Sequence, residues 1–331
     1  MKLPKVMHGL VFLAAVSAAV AGERFRFERP LMGTRFTVVC YANDREAASK
    51  AADLAFGEAE RINRAASDYR TDAELVLLPS HSIGAAVPVS PTLFALLEHS
   101  RHIAELSGGA FDPTLGPLTK LWRETRDSGC LPGAEKLDAA RAACGWRHFS
   151  VDHRSRCIMF HREPMAFDLG GVAKGYAADL MLDSLKAAGI SRVMIAAGGD
   201  IRVGDPPPGR DGWRVAIQTF DPARPDEVLT LANAAVSTSG DLHQSVEIHG
   251  VRYSHILDPV TGLGLTRRIA ASVIADEAKL SDPLATAACV LGPDRIDALR
   301  KLPGVREVKI RTLQEPSSNR RSGPDHHEKQ P

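Results

Sequence analysis

The chain has little of what would mark a nucleic-acid-binding or membrane-spanning protein. Across 331 residues it carries 41 basic and 40 acidic side chains, for a formal net charge of +1. Aromatics are only 5% of residues, and no basic stripe is interleaved with them, so nothing points to nucleic acid. The five cysteines, Cys40, Cys130, Cys144, Cys157 and Cys289, include no CxxC pair, which argues against a zinc site. Their odd number leaves at least one thiol free; an oxidising compartment would permit a disulfide, with Cys130 and Cys144 the nearest pairing in sequence. No segment approaches the roughly 20 apolar residues that a membrane span needs.

What is present begins at the N-terminus. Lys2 and Lys5 precede the apolar run "GLVFLAAVSAAVAG", which ends in Ala19-Val20-Ala21. A charged start, a short apolar stretch and a small-x-small end describe a secretory signal cut after Ala21; an uncleaved anchor is the alternative. No cysteine stands at the expected cleavage point, so a lipid anchor is not indicated. The division expected is a signal peptide over 1–21, one domain over 22–312 and a polar, disordered tail over 313–331. With 44% apolar residues the domain can bury a sizeable core.

Elements of both kinds follow. "FTVVCYA" (Phe36 to Ala42) reads as a strand. The stretch from Asn43 to Ser67 reads as a long helix with apolar positions at Ala48, Ala51, Ala52, Ala55, Ala59 and Ile62, capped by Asn43 or Asp44. A second helix starts near Pro91 and stops before Gly108; a third covers 174–188 and stops at Gly189. "RVMIAA", "WRVAIQT", "AAVSTSG" and "AASVIA" read as strands, and a last helix runs from Pro283 towards Leu291. Long segments separate these elements, which fits a single α+β domain of mixed sheets with flanking helices better than a doubly wound sheet.

Five stretches place polar groups in glycine-rich or apolar settings. In "DLGGVAKGYAADLM" (Asp168 to Met181) two glycines and Lys174 precede an amphipathic helix, either an anion-binding turn or a plain strand-to-helix turn. The spacing matches neither a dinucleotide fingerprint nor a Walker loop. In "SDPLATAACVLG" the oxygens of Asp282 and Thr286 stand at i, i+4, on one helix face suited to a hard cation; Asp-Pro is equally what a helix cap followed by proline looks like. "HILDPVTG" puts His255 before a turn built on Asp258-Pro259 and closed by Gly262, as a base beside an anionic ligand or as a mere turn residue. "SGGAFDPTLGPLTKLW" offers Phe111 and Asp112 to a planar ligand or to a loop, and "AAGGDIRVG" is the fifth.

Taken in order, "MGTRFTV", "SDYRTDAEL", "GGAFDPTLGPL", "DLGGVAKGYAADLM", "AAGGDIRV", "HILDPVTG" and "DPLATA" resemble the ApbE family of FAD:protein FMN transferases, over about Phe27 to Lys309. The resemblance implies an exported, periplasmic enzyme that uses FAD and Mg²⁺. It would place FMN in phosphoester linkage on a Thr or Ser hydroxyl of an acceptor protein and release AMP. Acceptors would be flavin-bearing subunits of membrane redox complexes or exported reductases, with a motif like Ser/Thr-Gly-Ala-Thr/Ser. Carried over by motif, Met32, Tyr69, Ala110, Phe111 and Asp112 would line the flavin and adenine sites, and Asp168 and Lys174 would hold FAD. By the same resemblance the carbonyl of Ala173 with Asp282 and Thr286 would bind Mg²⁺, and His255 would sit near the pyrophosphate. His255 is the leading candidate for catalytic base and Asp282 its competitor. The chain departs from the family pattern at Ala73 and the following "LVLLPS", and at Pro283, where alanine is more usual; Pro283 is expected to fix the helix start. An FAD pyrophosphatase and a non-catalytic FAD carrier are the rival functions.

Overall fold

The structure, a computed structural model, describes residues 22–78, 83–217, 226–241 and 244–313. The expected signal segment and the polar tail beyond 313 lie outside the described residues.

A seven-stranded sheet runs in the order Glu23–Leu31, Thr34–Ala42, Val193–Ala197, Asp200–Val203, Ala234–Gly240, Ile269–Ala275 and Val305–Thr312. Every neighbouring pair is antiparallel, as the α+β reading requires. Side chains alternate between its faces. Val38, Ile195, Ala235 and Val273 enter the main core beneath the helices, while Val39, Val203, Val236 and Ile274 enter a second core covered by the hairpin of Trp213–Ile217 and Glu227–Leu231.

The helices of the main core form where the local signals place them. Asp44 caps the Arg45–Ala66 helix by accepting from the Ala47 N–H at 2.8 Å. The helix buries Ala48, Ala51, Ala52, Ala55, Phe56, Ala59 and Ile62 at helical spacing, largely against the Ala173–Ala187 helix. The short alanine side chains allow that pair to approach closely. Pro91 opens the Pro91–Leu106 helix behind a Ser90 cap, and Gly189, at φ +81°, follows the end of the Ala173–Ala187 helix. A third, smaller core joins Leu118 and Trp122 of the Gly116–Ser128 helix to Ile248, Tyr253 and Leu257. All five cysteines are free. Among the described residues no helix is long and apolar enough to cross a membrane.

One helix boundary departs from expectation. The last long helix is Ala278–Leu291, so Pro283 lies inside it rather than at its start. Its first turn is invisible to a cap-and-proline reading because Glu277, the cap residue, makes no side-chain cap bond. The donors of that turn are satisfied from another helix instead.

Candidate functional site

The Ala173–Ala187 and Ala278–Leu291 helices cross where Gly175 packs on Ala278. A Cβ built at 175 would lie 2.2 Å from the Ala278 carbonyl oxygen and 2.7 Å from the Asp282 Cβ, so only glycine permits this approach. The closeness lets each helix cap the other. Asp282 Oδ2 accepts the Gly175 N–H at 2.9 Å, one of the first-turn donors of the Ala173–Ala187 helix. Asp179, on that same helix, accepts the N–H groups of Ala278 at 3.0 Å and Lys279 at 2.8 Å. Arg202 Nε donates to Asp179 at 2.6 Å and holds the carboxylate in place. Asp282 is therefore a capping residue, as one reading of the sequence had it, but for a helix that begins 109 positions earlier.

Lys174 projects beside this junction. Its Nζ stands 3.2 Å from Asp200 Oδ2 and 3.5 Å from Asp282 Oδ2, and both carboxylates are buried. Burial disfavours the Lys174 charge, yet the two carboxylates more than offset that and hold its pKa above the ordinary lysine value. Asp282 is pushed up to about 7, first by burial and next by the Asp200 charge, against the pull of Lys174 and the Gly175 N–H. Two acids and one cation thus share a site with excess negative charge. Asp200 begins its strand after the Gly198-Gly199 turn; the sequence reading quoted its motif without choosing the residue. Its signal was an acid straight after two glycines, which opens a strand and is buried.

These three side chains form the inner end of a cavity of about 520 Å³. Tyr69, Ala110, Phe111, Asp112, Asp168, Lys174, His255, Asp282 and Thr286, all singled out in the sequence, line it, and Met32 and Ala173 are not among its lining residues. Met32 and Gly33, at φ +49° and +70°, form the two-residue turn between the first two strands. Met32 packs against the main core. Ala173 opens its helix between Gly171, where an added Cβ would meet the Phe111 ring at 3.4 Å and the Thr286 hydroxyl at 3.6 Å, and Gly175. A helical carbonyl is normally taken by the N–H four residues on, which leaves its second lone pair.

The other predicted residues divide by how their polar atoms are used. Asp112 accepts from the Thr114 N–H (2.8 Å), the Thr114 hydroxyl (2.6 Å) and the Trp146 N–H (3.0 Å), and burial raises its pKa. Asp168 accepts from the Thr119 hydroxyl at 2.7 Å and the Gly170 N–H at 2.9 Å. Both carboxylates hold loops in shape. Thr286 Oγ1 lies 3.1 Å from Ser239 Oγ. His255 Nδ1 lies 3.2 Å from the Gln244 carbonyl. Its side chain opens on the cavity, yet the surrounding walls strip enough hydration to lower its pKa, and Arg126 and Lys174 act in the same sense. The lowered pKa favours the neutral imidazole, and because a carbonyl only accepts, Nδ1–H donates to Gln244 and Nε2 is left as an acceptor. The turn after it closes on Gly262, whose N–H donates to the Asp258 carbonyl at 2.8 Å, so the turn reading of this motif also holds.

At the mouth, Arg123 pairs with Asp68 and stacks over the Tyr69 ring, 4.2 Å from its centroid. Trp122, Arg123 and Arg126 all come from the Gly116–Ser128 helix and were missed in the sequence, because nothing local shows that this helix faces a cavity. Among the described residues no three His, Cys, Asp or Glu side chains form a metal-binding group. A cation here would depend on two side-chain oxygens and backbone.

The arrangement combines a buried ionic end with an aromatic, basic mouth. The sequence profile of the ApbE family matches residues 32–308. The chain is 32% identical over 282 residues to an FAD:protein FMN transferase of Vibrio cholerae serotype O1, covering 82% of this chain and 83% of that one. It is 34% identical over 263 residues to an FAD:protein FMN transferase of Treponema pallidum, covering 74% and 72%. The crystal structure of the flavinyl transferase ApbE from Pseudomonas stutzeri, in its apo form, superposes with a TM-score of 0.76 at 29% identity, over 88% of this chain and 95% of that one. Sequence, fold and cavity lead to one assignment: the chain belongs to the ApbE family.

Proposed function

We propose that the protein is an FAD:protein FMN transferase, which moves the FMN half of FAD onto a Ser or Thr hydroxyl of an acceptor protein. The single observation that carries this is one cavity holding the Asp200–Lys174–Asp282 cluster at its inner end and Phe111, Trp122 and Tyr69 along its walls and mouth. A molecule with a planar ring system, a pyrophosphate and a second ring system needs both. The family relatives named for this activity support the same reading.

In the reaction the acceptor oxygen attacks the phosphorus of the FMN half, the bridging P–O bond breaks, and AMP leaves. Such transfer depends on alignment and charge neutralisation more than on covalent help from the protein. Lys174 offsets phosphate charge. His255, neutral and facing the cavity, takes the acceptor's proton on Nε2; Asp282 is the competing base.

The residues fit Mg²⁺. Asp282 and Thr286 give hard oxygen donors on the cavity wall, Ala173 opens the helix whose Gly175 N–H Asp282 accepts, and Lys174 already marks a position where the Asp200–Asp282 pair favours positive charge. When bound, Mg²⁺ would supply further neutralisation of the pyrophosphate and of departing AMP. The N-terminal run supports export to the periplasm, where the acceptor would be a membrane redox subunit or an exported reductase.

The test is incubation of the protein, expressed without residues 1–21, with FAD, Mg²⁺ and a peptide bearing a Ser/Thr-Gly-Ala-Thr/Ser motif, read by mass spectrometry. The expected result is the peptide plus FMN minus water, with AMP released in equal amount, and no product from Asp282→Ala. AMP release at the same rate without peptide would instead identify an FAD pyrophosphatase. FAD binding with neither product would identify a carrier.

A further inference from the structure

Pro283 sits in the interior of the Ala278–Leu291 helix. Proline has no N–H, so the carbonyl four residues earlier, that of Lys279, loses its intrahelical donor, and the pyrrolidine ring pushes that carbonyl outward. The carbonyl is served from outside the helix: His99 Nε2, on the Pro91–Leu106 helix, lies 2.8 Å from Lys279 O. Because a carbonyl only accepts, Nε2 carries the hydrogen. The His99 ring also packs against Tyr176, with ring centroids 5.6 Å apart, so it is held from both sides.

The location matters more than the bond. Lys279 is in the turn whose N–H groups Asp179 caps, Asp282 follows three residues later and Thr286 one turn after that. The segment is fixed from one side by Asp179 and from another by His99, while its own ladder is interrupted between these anchors and Thr286. A helix freed at Lys279 would bend at the proline, as helices do there. Asp282 would then move away from Gly175 and Lys174.

We propose that His99 is a positioning residue for the Asp282–Thr286 site, replacing the hydrogen bond that Pro283 removes. The inference rests on the reading above that Asp282 and Thr286 hold a cation. His99 touches neither substrate nor cation; it acts through the helix backbone.

The experiment is a double-mutant cycle with two readouts: the Mg²⁺ concentration giving half of the maximal thermal shift in the presence of FAD, and the urea midpoint of the unliganded protein. His99→Phe keeps a ring against Tyr176 and removes the donor. It is expected to raise the half-maximal Mg²⁺ concentration about tenfold, the factor corresponding to one lost buried hydrogen bond. His99→Gln, whose amide nitrogen can donate to the same carbonyl, should stay near wild type. Pro283→Ala supplies the missing N–H, so His99→Phe with Pro283→Ala should recover to within about twofold of the Pro283→Ala single variant, the residue of a cycle in which the two changes share one partner. An unchanged Mg²⁺ response in His99→Phe, or a defect that persists in full in the double variant, overturns the proposal. If the wild type shows no Mg²⁺ response, the cation reading fails on its own. The His99–Pro283 coupling is then judged by the urea midpoints: a His99→Phe loss reversed by Pro283→Ala upholds it, and strictly additive losses overturn it.

Discussion

At the inner end of the cavity Lys174 lies 3.2 Å from Asp200 and 3.5 Å from Asp282, with only 5% of either carboxylate side chain exposed. At the mouth, Arg123 pairs with Asp68 and stacks on Tyr69, a residue that is 79% exposed. Both are one-cation arrangements built on a helical basic residue, yet water treats them differently. At the mouth Arg123 and Asp68 keep 33% and 21% of their side chains exposed, so solvent reaches the pair and its contribution is smaller. Inside, each charge has lost its hydration, so removing one partner leaves the others uncompensated. The inner end is a buried, charge-sensitive cluster; the mouth is a more exposed aromatic and basic surface.

The sharpest way to break this comparison is Lys174→Met. It leaves Asp200 and Asp282 facing each other without their cation and is expected to cost about 3 kcal/mol of stability near neutral pH. The loss should shrink on acidification. A carboxyl whose folded pKa is raised, as Asp282 is to about 7, binds its proton more tightly folded than unfolded. Its stabilising contribution is therefore complete below the unfolded carboxylate range and is lost as pH rises through about 7. Urea unfolding of both proteins between pH 5 and pH 8 checks this; a pH-independent difference would show that the site is less charge-sensitive than its burial implies.

Next in size is His255→Ala. FAD affinity should remain largely intact while transfer slows about 100-fold, the lower end of what a positioned base contributes. Because burial and the neighbouring cations lower the imidazole pKa, the wild-type rate should hold through neutral pH and fall only below the ordinary histidine range. Single-turnover rates with peptide acceptor against pH, beside an FAD titration, separate the two effects. Equal transfer rates would remove His255 from the mechanism.

A smaller loss is expected for Gly175→Ala. The added Cβ meets the Ala278 carbonyl and Asp282 Cβ, so the two helices must separate at a cost of about 1–3 kcal/mol, as overpacking usually does. Thermal melting measures the cost, and the fold of FAD affinity lost measures how far Asp282 has moved. The smallest effect belongs to the mouth. Arg123→Met should change stability by about 1 kcal/mol, since the pair it breaks is only partly buried. It should weaken FAD binding only a few-fold through the lost support of Tyr69. A larger effect there than for Lys174→Met would invert the comparison.

The amino-acid sequence by itself determined the pieces whose causes are local. The Asp44 cap, Pro91 at a helix start and Gly189 past a helix end each depend on neighbours within a few positions, and each is where local chemistry places it. The ordered motifs also marked most of the cavity wall. Tertiary structure alone decided what those motifs do to one another. Pro283 appeared to begin a helix because the capping group of the true first turn, Asp179, is 99 residues away in the chain. Asp282 appeared to cap its own helix because the donor it serves, Gly175, is 107 residues away. Asp200, Arg123 and Arg126 gained their place only when strand order and helix packing turned them towards one cavity. Burial and charge pairing depend on distances in space, and no local pattern of residues records them.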